Sequence, residues 1–169
     1  MDGLIITPVE NAEPHIKDLL RKEIPFVQID RYFPGIKANA VYIDNYTAAF
    51  NGVKHLIEKG YKKPGMIAYD SSLEHLHQRI RGFDEAVTSF KLKPSVEKVP
   101  VLNSNDSLIK ALDTLILKKK VDCILFGNIS IAIKSLYYIR DLNKKVPEEL
   151  GLLSFDQSDV FDFFYAPIS

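Results

Sequence analysis

Short apolar runs alternate along the chain with segments whose apolar residues follow a helical period, which predicts strands separated by helices. The first apolar run, Leu4–Ile6, is short and is closed by Pro8, as expected of a buried strand. Between residues 11 and 22 the apolar positions follow a helical period, which predicts a helix with Asn11 as its cap. The predicted strands are 3–7, 24–29, 40–43, 66–69, 99–102, 122–126 and 151–154, and the predicted helices are 11–22, 44–60, 73–91, 106–118 and 130–142.

This order of elements predicts an α/β fold with doubly wound parallel sheets. Helices between successive strands allow right-handed crossovers, and apolar, non-alternating strands fit a sheet that is covered on both faces. The tail, residues 157–169, is aromatic and irregular. In such sheets, ligands bind beyond the carboxyl ends of the strands. The polar residues at these ends are Asp30, Asp70, Ser71, Ser72, Asn103, Asn128 and Asp156.

The composition argues against several classes of protein. The 169 residues include 22 Lys+Arg and 22 Asp+Glu, and this balance argues against nucleic-acid binding by the segment itself, which requires surplus cations. The single cysteine, Cys123, excludes a disulfide framework and is expected to be a small buried hydrophobe. Because the N-terminus lacks a basic region and a long apolar stretch, we expect no signal peptide, a cytoplasmic location and no membrane contact.

Motifs for nucleotide, metal and covalent chemistry are missing from the sequence. It contains no G-x-G-x-x-G, no phosphate-binding P-loop, no H-E-x-x-H and no G-x-S-x-G. His75 and His77 are two positions apart on a predicted helix, so they point in different directions and do not share a metal ion. We therefore expect no catalytic residue, no metal site and no cofactor.

Three polar residues and one basic run have more than one interpretation. Arg79 borders the apolar stripe of its predicted helix, where its guanidinium can fork onto a ligand's oxygen atoms or form a surface salt bridge. Asn128 and Asp156 each end an apolar run, so they can hydrogen-bond a ligand or serve as a cap or turn residue. Three lysines at 118–120 follow a predicted helix and are expected to be a solvated helix end.

Several short motifs together resemble one protein family. They include I-D-R at residues 29–31, R-I-R-G-F at 79–83, F-G-N at 126–128 and V-P-E-E-L at 146–150. With these motifs in this order and spacing, the chain resembles the effector-binding region of lactose-repressor-type (LacI/GalR) transcriptional regulators. The resemblance covers nearly the whole chain.

The resemblance implies two periplasmic-binding-protein-like (type I) subdomains that clamp a small ligand between them. Residues 1–42 correspond to the second half of the N-terminal subdomain, which is then incomplete, residues 43–160 to most of the C-terminal subdomain, and residues 161–169 to the start of the crossover back. The DNA-binding helix-turn-helix is expected before residue 1, so operator DNA is a partner only through that domain. The regulator is expected to form a homodimer.

The resemblance also implies ligand contacts at particular residues. The arginine of the family's R-x-x-G-F pattern falls on Arg79, and the asparagine of its A-N-D segment falls on Asn128. The aspartates of its F-D or Y-D segment and of its I-D-R segment fall on Asp156 and Asp30. Two further residues, Ser72 and His75, are expected at the rim of the site.

One position departs from the family pattern and affects the neighbouring site. Ile129 stands where the family commonly has aspartate, so Ser130 is expected to cap the following helix instead. The candidate contacts suit a sugar or related polyol, because Arg, Asn and Asp side chains pair with hydroxyl groups, and a purine can use the same groups. On this view, Arg79→Ala abolishes effector binding and leaves the fold intact.

The predicted function is therefore the sensor region of a transcriptional regulator. A sugar-binding protein of a transport system, which shares the fold, is the alternative. A small α/β enzyme ranks last because no nucleophile, base or cofactor motif is found.

Overall fold

Two parallel sheets follow one another along the chain in the computed structural model, which describes residues 2–102 and 105–169. The strand-end residue Asn103 therefore lies outside the described residues. The strands of the first sheet, in spatial order, are β1 (Leu4–Ile6), β2 (Phe26–Ile29) and β3 (Ala40–Val41). Those of the second sheet are β5 (Ser95–Pro100), β4 (Pro64–Asp70), β6 (Cys123–Phe126) and β7 (Gly151–Ser154). The predicted α/β fold is confirmed.

Helices connect successive strands in nearly every case, as parallel pairing requires. They are α1 (Glu13–Arg21), α2 (Asn45–Glu58), α3 (Glu74–Ser89), α4 (Asn105–Leu112) and α5 (Ile129–Asp141). The Asp44 side chain caps α2 by accepting a hydrogen bond from the Thr47 amide at 2.9 Å. Gly60 follows α2 with φ of 111°, the left-handed conformation that favours glycine at a helix end. Among the described residues, no helix has the length and hydropathy needed to cross a membrane.

The second sheet is buried on both faces, which explains why β4 and β6 are continuously apolar. Met66 and Ala68 of β4 pack with Phe83 in a core on the α2–α3 side. Ile67, between them, packs with Leu112 in a second core on the α4–α5 side. Because successive side chains of a strand point to opposite faces, one apolar strand supplies both cores.

The first sheet is small and exposes part of its apolar surface. Leu4 pairs with Phe26 in the parallel register of β1 and β2, and Ile16 of α1 is buried. Ile5 of β1 is 78% exposed and Val41 of β3 is 65% exposed. Buried apolar area is the main stabilising contribution in folding, so most of the stability lies in the second sheet and its helices.

Two predicted element boundaries are wrong. The strand predicted at 99–102 lies at Ser95–Pro100, where Gly65 of β4 pairs with Ser95, and Leu102 is 97% exposed. The charged residues Glu97 and Lys98 concealed this strand in the sequence, although an edge strand tolerates charge. The tail predicted as irregular contains a 3-10 turn at Asp159–Phe163.

The predicted helix starts are also partly wrong. Ala12, and not Asn11, occupies the cap position of α1, and Asn11 adopts φ of 67° in the preceding turn. Asn128, and not Ser130, caps α5 by accepting a hydrogen bond from the Ser130 amide at 2.7 Å. The single helix predicted at 106–118 is α4 followed by a π-helical segment, Asp113–Lys118.

Candidate functional site

Arg79 is a buried cation on α3, close to the carboxyl ends of the second sheet. Its side chain is 5% exposed, its Nε donates to Asn45 Oδ1 at 2.7 Å, and its Nη1 donates to the Gly127 carbonyl at 2.8 Å. The surface salt bridge considered from the sequence is therefore excluded. Both acceptors fix the guanidinium at the end of β6.

An aromatic ring holds the same guanidinium from another side. The Cζ of Arg79 lies 4.0 Å from the centre of the Phe155 ring, directly after β7, an arrangement that favours the cation. Burial lowers the pKa of Arg79, while the nearby carboxylates of Asp156 and Asp30 act in the opposite direction. Arg79 is thus a preorganised cation at the edge of the sheet where α/β proteins bind ligands.

Asn45 is a residue of this site that the sequence did not single out as one. It is 1% exposed, and its Nδ2 donates to the Ile43 carbonyl at 3.1 Å, which turns its Oδ1 towards Arg79. The cap of α2 is the preceding residue, Asp44, so the side chain of Asn45 is available for the contact with Arg79. Its burial arises from contacts between α2 and α3, which local sequence does not reveal.

A glycine allows α2 and α3 to approach closely enough for this contact. A Cβ atom at Gly82 would lie 2.3 Å from the carbonyl oxygen of Tyr46, a distance that no side chain tolerates. Gly82 is three residues after Arg79, and Tyr46 directly follows Asn45. The close helix contact therefore places Arg79 against Asn45.

Asn128 and Asp156 lie where the sequence predicts, at the ends of β6 and β7. Asn128 uses its Oδ1 to cap α5, so a ligand would use the amide nitrogen. Asp156 is exposed and has φ of 66°, a conformation in which aspartate and asparagine are favoured among residues other than glycine. The turn and cap roles are observed, and the ligand roles of both residues stay predictions.

His75 lies one helical turn before Arg79 and is only 7% exposed. Its pKa is lowered to about 4, mainly by burial and also by the Arg79 and Arg31 cations, while Asp30 acts in the opposite direction. The imidazole is therefore neutral at pH 7. Its Nδ1 is buried and has no hydrogen-bond partner among the described residues.

The first sheet presents its own polar residues to α3. Asp30 and Arg31 follow β2 and form an ion pair, with Arg31 Nε 3.6 Å from Asp30 Oδ2. The Tyr32 hydroxyl accepts a hydrogen bond from Gln78 Nε2 of α3 at 3.0 Å. The end of β2 and α3 therefore meet through polar side chains, and the boundary between them is called the cleft below.

Ser72 differs most from its predicted role at the rim. Its amide and its Oγ donate to Glu10 Oε1 at 2.9 and 2.8 Å, and Ser71 Oγ donates to the same oxygen at 3.2 Å. These hydrogen bonds, with that from the Ser72 amide contributing most, lower the pKa of Glu10. Ser72 thus joins the loop after β4 to the loop after β1, and its ligand role stays a prediction.

Residues 53–169 match the family model described as periplasmic binding protein-like domain. The chain belongs to this family. Within it, the chain is an effector-binding domain of the LacI/GalR type.

The described residues contain no group of three His, Cys, Asp or Glu side chains that could hold a metal ion.

Individual relatives are longer proteins. The chain is 26% identical over 147 residues to the HTH-type transcriptional repressor CytR of Escherichia coli (strain K12), covering 86% of the chain and 43% of the repressor. It is 25% identical over 167 residues to the arabinose metabolism transcriptional repressor of Halalkalibacterium halodurans, covering 93% and 44%. The chain therefore spans less than half the length of these curated relatives.

A solved structure has the same fold. It is a sugar-binding transcriptional regulator of the LacI family from Escherichia coli, complexed with phosphate. It matches 96% of the chain and 59% of its own length with a TM-score of 0.80 and 17% sequence identity.

Proposed function

We propose that the chain is the sensor region of a transcriptional regulator and that it binds a sugar or related polyol. The ligand lies between residues 1–42, part of an N-terminal subdomain, and residues 43–160, most of a C-terminal subdomain. The supporting observation is the buried guanidinium of Arg79, fixed by Asn45 and Gly127 beside a polar cleft. Because the relatives are transcriptional repressors, we propose a binding role and no catalysis.

The charges around the cleft favour an uncharged ligand. Arg31 and Arg79 are balanced by Asp30 and Asp156, and the His75 imidazole is neutral. Carboxylates accept hydrogen bonds from hydroxyl groups and guanidiniums donate to them, which suits a polyol. A hydrogen bond to a charged group contributes about 1.5–3 kcal/mol, so a ligand whose hydroxyl groups pair with these side chains is selected. The name of one relative, the arabinose metabolism transcriptional repressor, supports the choice of a sugar.

In the whole protein, effector binding is proposed to control the affinity for operator DNA. The DNA is bound by a helix-turn-helix outside this chain, as the name of the CytR repressor suggests. Ligand and DNA affinities are then coupled reciprocally, because both depend on the angle between the subdomains. The contact of Glu10 with Ser71 and Ser72 spans the two sheets and is one contact that such a change of angle breaks or forms.

A homodimer is proposed to form through an aromatic surface on α5 and the tail. Tyr137 is 63% exposed, Phe163 is 89% exposed and Tyr165 is 54% exposed. An apolar cavity of about 210 Å³ lies between them, lined by residues such as Leu136 and Phe164. Contiguous exposed aromatic residues of this kind mark protein interfaces.

Ligand binding is tested by thermal unfolding of the chain with neutral sugars, nucleosides and sugar phosphates. The proposal expects a neutral sugar to raise the melting temperature most, and the affinity of that sugar is then measured by titration calorimetry. Asp156→Asn keeps the turn conformation but removes a charged acceptor, and we expect about tenfold weaker binding. Asp141→Asn, an exposed change on α5, is the matched control with unchanged affinity.

Two results contradict the proposal. A nucleoside that stabilises the chain while no sugar does so refutes the polyol. Equal sugar affinities of Asp156→Asn and the wild type refute the assigned site.

A further inference from the structure

Three loops meet at the amino edge of the second sheet, opposite the edge that carries Arg79. They are residues 62–63 before β4, 93–94 before β5 and 119–122 before β6. Because these strands are parallel neighbours, the residues preceding them are brought to one edge. The loops enclose a cavity of about 520 Å³, called here the lysine cavity, which is lined by Lys62, Lys63, Lys93, Pro94, Ser95, Lys119 and Val121.

The backbone around the lysine cavity is held in place by one carboxylate. Asp122 Oδ2 accepts a hydrogen bond from the Lys62 amide at 2.7 Å, and its Oδ1 accepts one from the Lys63 amide at 2.8 Å. The Asp122 amide in turn donates to the Lys63 carbonyl at 3.1 Å. Asp122 therefore uses both oxygens on backbone amides, and the exposed lysine side chains are directed by a fixed backbone.

The charge at this cavity is strongly positive in a chain that is neutral as a whole. Four lysines line the cavity, and its lining residues include no acidic side chain among those the structure describes. Glu97 approaches from β5 and pairs with Lys119, with Nζ and Oε1 2.7 Å apart. A solvated helix end accounts for lysines 118–120, but it does not explain why Lys62, Lys63 and Lys93 converge on the same cavity.

We propose that the lysine cavity binds a compact anion with at least two phosphate groups. Lysine ammonium groups recognise phosphate as point charges with three donors each, and several together favour a multivalent anion. The described lining has no aromatic ring on which a nucleobase could stack, so the phosphate groups themselves are recognised. A cavity of this volume is in the range that accommodates small ligands. Because it lies opposite the cleft, both sites can be occupied together.

The test is titration calorimetry of the chain with inorganic pyrophosphate. We expect saturable binding at one site that weakens as salt is added, since exposed charges are screened. The double substitution Lys63→Gln and Lys93→Gln removes two of the four ammonium groups, and we expect about tenfold weaker binding. The matched control replaces Lys17 and Lys54, exposed lysines on α1 and α2, by glutamine and is expected to retain wild-type affinity.

Three outcomes overturn the proposal. They are the absence of saturable binding by the wild-type chain, equal losses in the cavity and control variants, and inorganic phosphate binding as tightly as pyrophosphate. Urea unfolding of both double variants checks the fold, and the single variant Lys93→Gln replaces the double variant if the latter is unstable. The single variant is then expected to weaken pyrophosphate binding by a smaller factor than the double variant. Unchanged binding by the single variant contradicts the proposed site.

Discussion

Replacing Arg79 with alanine is expected to destabilise the chain as well as remove a ligand contact. The sequence alone suggested that this substitution leaves the fold intact, but the structure changes that expectation. Arg79 is 5% exposed and bonds to Asn45 and to the Gly127 carbonyl, which belong to α2 and to the turn after β6. Its removal leaves both acceptors without this donor inside the protein.

The size of the effect follows from these contacts. Hydrogen bonds from a charged donor contribute about 1.5–3 kcal/mol each, and the contact with Phe155 contributes about 1–2 kcal/mol. Burying the guanidinium costs several kcal/mol of desolvation free energy. The alanine variant does not pay this penalty, so the loss of the contacts is partly offset. We expect Arg79→Ala to lower the free energy of unfolding by about 3 kcal/mol.

A double-mutant cycle measured by urea unfolding tests this reasoning. Arg79→Ala and Asn45→Ala remove the two ends of one hydrogen bond, so their effects should be coupled by about 1.5 kcal/mol or more. The control is Arg81→Ala, an exposed arginine on the same helix, with an expected loss below about 1 kcal/mol. Additive effects within about 0.5 kcal/mol would refute the proposed coupling.

Three further predictions concern a buried imidazole, a helix contact and a buried thiol. His75 has a pKa of about 4 in the folded chain and about 6.5 when unfolded. The unfolded state therefore binds more protons between these values, and stability measured by urea unfolding falls by about 3 kcal/mol as pH drops from 6.5 to 4. His75→Gln should remove this slope, and an unchanged slope would assign it to other groups. Gly82→Ala should cost about 3 kcal/mol of unfolding free energy, because its Cβ meets the Tyr46 backbone. Gly52→Ala, which meets only the movable end of Leu153, should cost much less, and equal losses would contradict the close contact. Burial raises the pKa of the Cys123 thiol, so iodoacetamide should label it only after denaturation, and rapid labelling of the folded chain would contradict its burial.

Strands that are continuously apolar were predictable, whereas the charged edge strand β5 was not. β4 and β6 are continuous apolar runs, because each supplies side chains to the two cores at once. β5 is interrupted by Glu97 and Lys98, so its pattern resembles a loop, and only its register with β4 defines it. Sequence patterns thus predict strands that form apolar runs and miss a strand interrupted by charged residues.

The candidate site was predictable in its location and incomplete in its contacts. The resemblance to LacI/GalR regulators indicated Arg79, Asn128 and Asp156, which lie at the expected edge of the second sheet. Asn45 was missed as a site residue, because its approach to Arg79 depends on the packing of α2 against α3. The contact of Ser72 with Glu10 joins residues 62 positions apart in the sequence, a separation that no local pattern records.

The central claim, that a small effector binds between the two sheets, is tested most directly by nuclear magnetic resonance. The labelled chain is titrated with the sugar that most raises its melting temperature, and the perturbed residues are mapped. The account predicts that the largest shifts cluster at Asp30, His75, Arg79, Asn128 and Asp156. Shifts that cluster instead at the lysine cavity or on the aromatic surface of α5, and leave the cleft unchanged, would contradict it.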